Sequence, residues 1–192
     1  LKSKNVSSYA TAGNHDYLFS SAKGEANLRK RFPDFCRTGF TIRLGGFAFI
    51  LLNSNYSVLD DSEKVKQEEW YQQEIHILDQ DTTIKIIAVG CHHSPFSNSS
   101  IVGHSQIIRD KFTPLFLSSQ KSKFFISGHA HTFQHFKDSL FNKDFFVVGG
   151  GGGLLHTLKE PKRDELKDRF YSNAEYRMFH FVKCAILEDA LN

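Results

Sequence analysis

The sequence has few cysteines, with only three among its 192 residues. Cys36, Cys91 and Cys184 are far apart and odd in number, so they form no CxxC pair and no disulfide framework. We expect them to be buried and reduced, although one bridge with one free thiol also fits the count. The lack of paired cysteines argues against a structural domain held together by zinc.

Long apolar runs and a strong charge of one sign are also absent. No apolar stretch reaches the ~18 to 20 residues that span a bilayer. The formal net charge is +3, and the lysines and arginines are scattered, so the sequence has no basic footprint for nucleic acid or a membrane surface. What remains is an ordinary globular composition for one domain, with 19 phenylalanines concentrated in short runs typical of a sheet core.

Short apolar segments separated by turns predict a mixed α/β fold. Residues 40–44 and 47–52 indicate a hairpin with a two-residue Gly-Gly turn. Residues 61–78 have apolar side chains at helical spacing, with Asp61 or Ser62 as the N-cap. The other predicted elements are strands at 9–12, 84–89, 124–127, 145–148 and 179–187, a helix at 105–117, a helix or solvated loop at 20–38, and an exposed charged stretch at 158–175.

Polar side chains follow several predicted strands at the points where the strands end, which is where layered α/β folds place their sites. After the first strand, Gly13 permits a tight exit that brings Asn14 and His15 together. An asparagine amide oxygen is a hard, neutral metal ligand, and a carboxylate such as Asp16 can orient a neighbouring imidazole. An ordinary turn explains this motif equally well when it is taken alone.

Two further strand ends carry pairs of histidines. His129 and His131, in the sequence GHAH, can approach two metal ions or two sides of one ion, or they can be loop histidines at the surface. His92 and His93, in the sequence CHHSPF, are adjacent and point in different directions, so we expect only one of them to be a metal ligand.

The order of the three motifs is more specific than any one of them. GNHD, then a strand-ending HHSPF, then GHAH resembles the pattern of the calcineurin-like metallophosphoesterase superfamily. The helix before the second motif and the glycine-rich turn after residue 148 are similar to the purple acid phosphatase-like branch. The resemblance covers about residues 7–155. It implies an α/β fold of the αββα type, with two mixed β-sheets face to face, helices outside, and the site at one edge.

The resemblance also implies a pair of metal ions, for which iron, manganese and zinc all suit the nitrogen and oxygen ligands. Asn14, His92 and His129 would bind the second metal, and His131 the first. His93 is the alternative ligand, because alignment on the proline that follows it shifts the ligand role by one position.

Four residues have implied roles towards the substrate. His15 would hydrogen-bond the phosphate or protonate the leaving group, and Asp16 would orient it. His104 lies in a loop from which related phosphatases present a histidine to the substrate. His93 would bind substrate if His92 is the ligand.

The implied function is two-metal-dependent hydrolysis of a phosphate ester, with monoesters favoured. The alternatives are a phosphodiesterase of the same superfamily and an inactive metal-binding or scaffolding module, against which the intact His15 and Asp16 argue. The Asp-X-His and Gly-Asp motifs of the family do not occur before Gly13. We therefore expect residues 1–192 to be a single domain truncated at its N-terminus, essentially inactive in isolation, and able to self-associate through the exposed sheet edge.

Overall fold

The computed structural model describes residues 6–159, 167–170 and 179–185. Within these ranges, every helix is too short or too polar to cross a membrane. The elements, in chain order, are a 3-10 helix (Asn14–Tyr17), α1 (Ser21–Arg31), β1 (Phe40–Leu44), β2 (Phe47–Leu51), α2 (Asp61–Gln80), β3 (Ile86–Cys91), α3 (Gln106–Ser118), β4 (Ser122–Ser127), β5 (Phe133–Asp138) and β6 (Lys143–Val148).

The strands of the described ranges form one six-stranded mixed sheet, in the order β1-β2-β3-β4-β6-β5. The four central strands run parallel, and β1 and β5 pair antiparallel at the two edges. Because parallel strands end at the same edge of a sheet, the segments after β2, β3, β4 and β6 emerge side by side. This edge is where the sequence motifs predict a site.

The first two strands form the predicted hairpin. Leu44 pairs with Phe47, which leaves Gly45 and Gly46 as the two-residue turn. The backbone of Gly45 has φ 56°, a conformation that glycine adopts without steric cost. The hairpin supplies β2, whose end contributes to the site described below.

The N-cap of helix α2 is Asp60, one residue before the earlier of the two predicted N-caps. The side chain of Asp60 accepts a hydrogen bond from the Glu63 N–H at 2.8 Å, and the Glu63 carboxylate accepts one from the Asp60 N–H at 3.0 Å. This reciprocal capping box satisfies two backbone donors that the first turn would otherwise leave free. Helix α3 has a simpler cap, in which the Ser105 side chain accepts a hydrogen bond from the Ile108 N–H at 3.4 Å.

Helices α2 and α3 pack on one face of the sheet, and this layer holds the main core. Tyr71 of α2 is fully buried and donates its hydroxyl to the Phe112 carbonyl of α3 at 3.0 Å. The ring of Phe116 meets those of Phe125 and Phe145 edge to face, at centroid distances of 5.4 and 5.1 Å. Burial of such side chains stabilises a fold by about 1.5–3 kcal/mol each, so the layer fixes the strand ends firmly.

The opposite face of the sheet carries a second set of apolar side chains. Phe49, Ile126 and Phe146 are half-buried on this face, and Phe133 meets Phe170 edge to face at 5.0 Å. The α/β class and the flanking helices are confirmed. The described part of the chain contains one of the two sheets that the resemblance implies, and the truncated single domain remains a prediction.

Three sequence predictions differ from the structure. Residues 9–12 are not a strand; they have no regular secondary structure, and Thr11 Oγ1 donates to the Leu52 carbonyl at 2.6 Å. Strand β5 was not among the predicted strands. Of the predicted strand at 179–187, residues 179–185 are not a strand and the last two lie outside the described residues, as does much of the charged stretch at 158–175.

The cysteines follow the expectation only in part. All three are free. Cys91 is buried at the end of β3 and belongs to the main core, as expected of a small apolar side chain. Cys36 and Cys184 are exposed, so the prediction that they are buried is wrong.

Candidate metal centre

The two histidine motifs meet because β3 and β4 are parallel neighbours. Cys91, the last residue of β3, pairs with Ser127, the last residue of β4. One step further along, the Gly128 N–H donates to the His92 carbonyl at 3.0 Å. The chain thus places His92 and His129 next to each other at the edge of the sheet.

Asn14 reaches the same edge from the N-terminal segment. The Asn55 side chain donates to the Ala12 carbonyl at 2.8 Å and so ties this segment to the end of β2. The Asp16 carboxylate accepts a hydrogen bond from the Gly13 N–H at 2.8 Å, which closes the turn that carries Asn14. A Cβ on Gly13 would lie 3.1 Å from the His92 ring, so glycine allows the close approach here.

Three side chains converge from distant parts of the sequence. His92 Nε2 lies 2.8 Å from Asn14 Oδ1, a residue 78 positions away, and 3.0 Å from His129 Nδ1, 37 positions away. These are hydrogen-bonding distances, and they bring one oxygen and two nitrogens to a common point.

His93 belongs to the same cluster. Its ring centroid lies 4.4 Å from that of His129 and 4.9 Å from that of His92. Together the three imidazoles offer ligand atoms that all lie within 4.8 Å of one another. The expectation that the two adjacent histidines point apart is therefore only partly met, since both rings reach the cluster.

The cluster disfavours protonation of its histidines. Burial, and then the neighbouring His93 and His129, lower the pKa of His92 to about 3. Burial and the same kind of repulsion lower the pKa of His129 to about 4. Both side chains are therefore neutral near pH 7, with ring lone pairs available to a metal ion.

The backbone of His129 is in a conformation that few residues other than glycine adopt. Its φ is 63°, in the left-handed region. Such a backbone conformation lowers the stability of a fold by about 1–3 kcal/mol. It is found mainly at functional sites, where the surrounding structure imposes the conformation. Here the Ala130 N–H donates to the Gly128 carbonyl at 2.7 Å, which closes a tight turn around His129, and His129 Nδ1 lies 3.0 Å from His92 Nε2.

His131 lies beside the cluster and outside the group of three. Its ring stacks on that of His156 at a centroid distance of 4.4 Å, and its Nδ1 donates to the Leu154 carbonyl at 2.7 Å. That bond leaves Nε2 as the nitrogen with a free lone pair. A Cβ on Gly153 would lie 2.2 Å from the ring, so the glycine-rich turn provides the space that His131 occupies.

His15, Asp16 and His104, which are expected to act on the substrate, lie at different positions relative to the histidine cluster and have different contacts. His15 is exposed on the 3-10 helix. It is one of the smaller causes of the lowered pKa of His92 and of His129, for which burial is the largest cause. The described hydrogen bond of Asp16 goes to Gly13 and not to His15. His104 is exposed in the loop before α3, and no described interaction links it to the cluster.

The donor set suits a divalent transition metal. Neutral imidazole nitrogens and an amide oxygen are ligands of zinc, manganese and iron, and their neutrality at pH 7 means that binding need not displace protons. The group of potential ligands found in the described residues contains histidines and no Asp or Glu. The observed donors are therefore of the kind that could hold one metal ion, with His92, His93 and His129 in the group and Asn14 Oδ1 beside His92.

Sequence reasoning missed three residues that support the site. Asn53, Ser54 and Asn55 follow β2 and are all buried. Asn53 donates to the Tyr17 hydroxyl at 3.1 Å, and Ser54 contacts His93. The signal was present in the sequence, because three polar residues in a row directly after an apolar strand mark the same sheet edge.

No protein-family model matches the sequence, and no curated protein matches it. Among solved structures, the chain is similar to the purple acid phosphatase PPD1 from yellow lupin (Lupinus luteus) seeds, with a TM-score of 0.59 and 15% sequence identity over 82% of this chain and 32% of that one. It is also similar to GAP50, the anchor in the inner membrane complex of Plasmodium (TM-score 0.48, 15% identity, 63% of this chain, 40% of that one). A third similar structure is a dimetal phosphatase from Danio rerio (TM-score 0.43, 14% identity, 58% of this chain, 48% of that one).

The chain shares its fold with the lupin purple acid phosphatase (TM-score 0.59), as the order of the motifs predicts. The chain spans less than half the length of each of the three solved proteins. At this level of identity the similarity establishes the fold, and the activity needs its own argument.

Proposed function

We propose that this chain is the metal-binding part of a metal-dependent phosphoesterase that favours phosphate monoesters. The observation that carries the proposal is the convergence of three ligand atoms at one sheet edge. His92 Nε2 lies 2.8 Å from Asn14 Oδ1 and 3.0 Å from His129 Nδ1. The fold, which a purple acid phosphatase shares, supports the same class of reaction. Phosphodiesterase activity is the alternative within the class.

The residues of this chain have separate tasks in the proposed reaction. Asn14, His92 and His129 hold one metal ion, and His131, with its Nε2 free, belongs to the other. Metal ions in such sites activate a water molecule and neutralise charge on the phosphoryl oxygens. His15 is exposed beside the cluster, where it can give a proton to the leaving alkoxide. The Asp16 carboxylate keeps the turn that carries both Asn14 and His15 closed.

A metal-binding module without hydrolytic activity is the second candidate. It is favoured by one observation, namely that the potential ligand group in the described residues includes no carboxylate. Two-metal hydrolysis ordinarily uses a shared carboxylate to hold the ions and to activate the water. Both candidates require the histidine cluster to bind metal, and they differ in turnover. Self-association through the sheet edge also remains a prediction.

The test is an assay of the natural full-length protein against p-nitrophenyl phosphate and bis-(p-nitrophenyl) phosphate. The protein is stripped of metal and reconstituted with zinc, manganese or iron, and bound metal is measured by mass spectrometry. We expect turnover of the monoester that Asn14→Ala and His129→Ala abolish together with metal binding. Metal binding without turnover of either ester would favour the second candidate, and the absence of bound metal would reject both.

A further inference from the structure

The segment that follows the glycine-rich turn makes three contacts with the ring of His131. The Leu154 carbonyl accepts a hydrogen bond from His131 Nδ1 at 2.7 Å, and Gly153 leaves the space that the ring fills. The His156 ring stacks on the His131 ring, with centroids 4.4 Å apart and planes at 30°. Four consecutive residues, 153–156, therefore fix the orientation of one imidazole.

His156 contacts the backbone of His131 as well as its ring. The His131 N–H donates to His156 Nδ1 at 3.2 Å, and the His156 N–H donates to the His131 carbonyl at 3.1 Å. A backbone N–H can only donate, so the direction of the first bond is fixed and Nδ1 is its acceptor. His156 thus binds both polar backbone groups of His131 and packs on its side chain.

The loop before α3 fixes the position of His156 itself. Ser99 Oγ lies 3.1 Å from His156 Nδ1. The same oxygen accepts hydrogen bonds from the N–H groups of Ile101 and Val102, at 3.2 and 3.3 Å. A hydroxyl has two lone pairs and one proton, so the proton is the group left for Nδ1, in agreement with the acceptor role of that nitrogen. With its side chain 8% exposed, His156 is therefore held in one orientation between this loop and His131.

We propose that His156 is a positioning residue, which holds His131 so that its Nε2 faces the metal centre. The inference rests on the proposed function, in which His131 binds one of two metal ions, and it adds a residue to that site. A ligand binds best when packing and hydrogen bonds already hold its side chain in the productive orientation. Residues that orient metal-binding histidines contribute roughly 10–100-fold to metal affinity. His156 should therefore affect the ion bound by His131 and not the ion bound by Asn14, His92 and His129.

Three variants of the natural full-length protein separate the contacts of His156. His156→Ala removes both the ring and the acceptor, His156→Asn keeps an acceptor in its amide oxygen, and His156→Phe keeps a stacking ring. His135→Phe is the matched control, because His135 also stacks on a ring, that of Phe146 at 4.5 Å, and its Nε2 contacts Asp144 instead of the site.

Competition with a chromophoric chelator measures the affinity of each bound zinc ion in these proteins. We expect His156→Ala to weaken the binding of one of the two ions by roughly 10–100-fold and to leave the other unchanged. His156→Asn and His156→Phe should each restore part of the loss, since each keeps one of the two contacts. His135→Phe should change neither affinity.

Nitrogen-15 NMR of the histidine rings in the metal-free protein tests the positioning directly. A carbonyl oxygen can only accept, so His131 carries a proton on Nδ1 towards Leu154, and this proton should exchange slowly with water in the wild type. We expect His156→Ala to speed up the exchange and His135→Phe to leave it unchanged. If His156→Ala fails to fold, His156→Phe, which loses the acceptor alone, gives the same comparison.

Two results would overturn the proposal: slow exchange that persists in the His156 variants, or an equal loss of affinity for both zinc ions. A different result would reject the proposed function and leave His156 in its role. In that case the exchange is slow in the wild type and fast in His156→Ala, but the wild type binds no second zinc ion.

Discussion

At the scale of single residues, the site consists of a few neutral donors held in place by the main chain. His92 is the central member, because its Nε2 contacts both Asn14 and His129. The sequence predicts this set of residues, since all three carry a ligand atom and His92 and His129 follow strand ends. It could not predict that both adjacent histidines reach the cluster, which depends on the pairing of β3 with β2 and β4 and on Ser54.

The two adjacent histidines differ in their contacts, and this predicts a difference in metal binding. His92→Ala removes the atom that lies nearest to both other ligands, whereas His93→Ala removes a ring whose Nδ1 is held by Ser54. We expect both variants to lose zinc, and His92→Ala to lose more. Isothermal titration with zinc measures the two affinities. The reverse order would assign the main ligand role to His93.

His15 is predicted to act on substrate and not on metal. It is exposed, and its described neighbours place it beside the cluster rather than within the potential ligand group. In the natural full-length protein, His15→Ala should therefore reduce kcat by roughly 10² to 10⁴, the range for loss of a general acid, while metal content is unchanged. His76→Ala, at an exposed histidine on α2, is the control. A variant that loses metal together with activity would show that His15 is a ligand.

At the scale of elements, local signals predicted most of the structure. The Gly-Gly hairpin and helices α2 and α3 appear within one or two residues of the predicted positions. These elements have strong local determinants, namely turn glycines, capping side chains and periodic apolar residues. Strand β5 has weaker ones: it is an edge strand with the sequence FQHFKD, in which polar and charged residues lower the β-propensity, although it forms a hairpin with the adjacent β6.

Residues 9–12 were predicted to be a strand, and the structure shows that they are not one. The composition of this segment is typical of a strand, yet it forms no ladder with the described sheet. Its polar groups are instead satisfied one at a time, through Thr11 to the Leu52 carbonyl and through the Ala12 carbonyl to Asn55. These contacts come from residues about 40 positions away, so no local pattern could have indicated them.

The glycine-rich turn after β6 gives a prediction at this scale. A Cβ on Gly149 would lie 1.8 Å from the Ala130 carbonyl oxygen, which is backbone and cannot move aside easily, whereas a Cβ on Gly151 would meet nothing within 4 Å. We expect Gly149→Ala to destabilise the chain by about 1–3 kcal/mol, as overpacking does, and Gly151→Ala to change little. Urea unfolding measures both. Equal effects would mean that this turn does not pack on the segment before His131.

At the scale of the whole molecule, the sequence order of the motifs was more informative than any single motif. GNHD, HHSPF and GHAH predicted a calcineurin-like fold, and the similarity to a purple acid phosphatase confirms it. The polar run at residues 53–55 marks the sheet edge in the sequence, but the contact of Ser54 with His93 appears only when β2 lies beside β3 in the sheet. The three-dimensional arrangement thus adds residues that hold the predicted ligands in place, whose binding of metal stays a prediction.

Metal binding should stabilise the whole chain, because the ligands come together only in the folded state. An ion that binds the native state stabilises it by RT ln(1 + [L]/Kd), about 2.7 kcal/mol at a free concentration of 100 Kd. For a chain of this size that corresponds to a rise in Tm of roughly 5–10 °C, reduced where zinc also binds cysteine and histidine in the unfolded chain. Differential scanning fluorimetry in zinc and in a chelator measures the shift.

Two controls separate a specific site from general binding. Magnesium prefers carboxylate, carbonyl and water oxygens, so at the same concentration it should leave Tm unchanged. His129→Ala removes a ligand atom that lies 3.0 Å from His92 Nε2 and should abolish most of the zinc shift. His76→Ala removes an exposed histidine on α2 and should retain the shift. If His129→Ala gave the same zinc shift as the wild type, the stabilising ion would be bound elsewhere, and the cluster at the sheet edge would not be the metal centre.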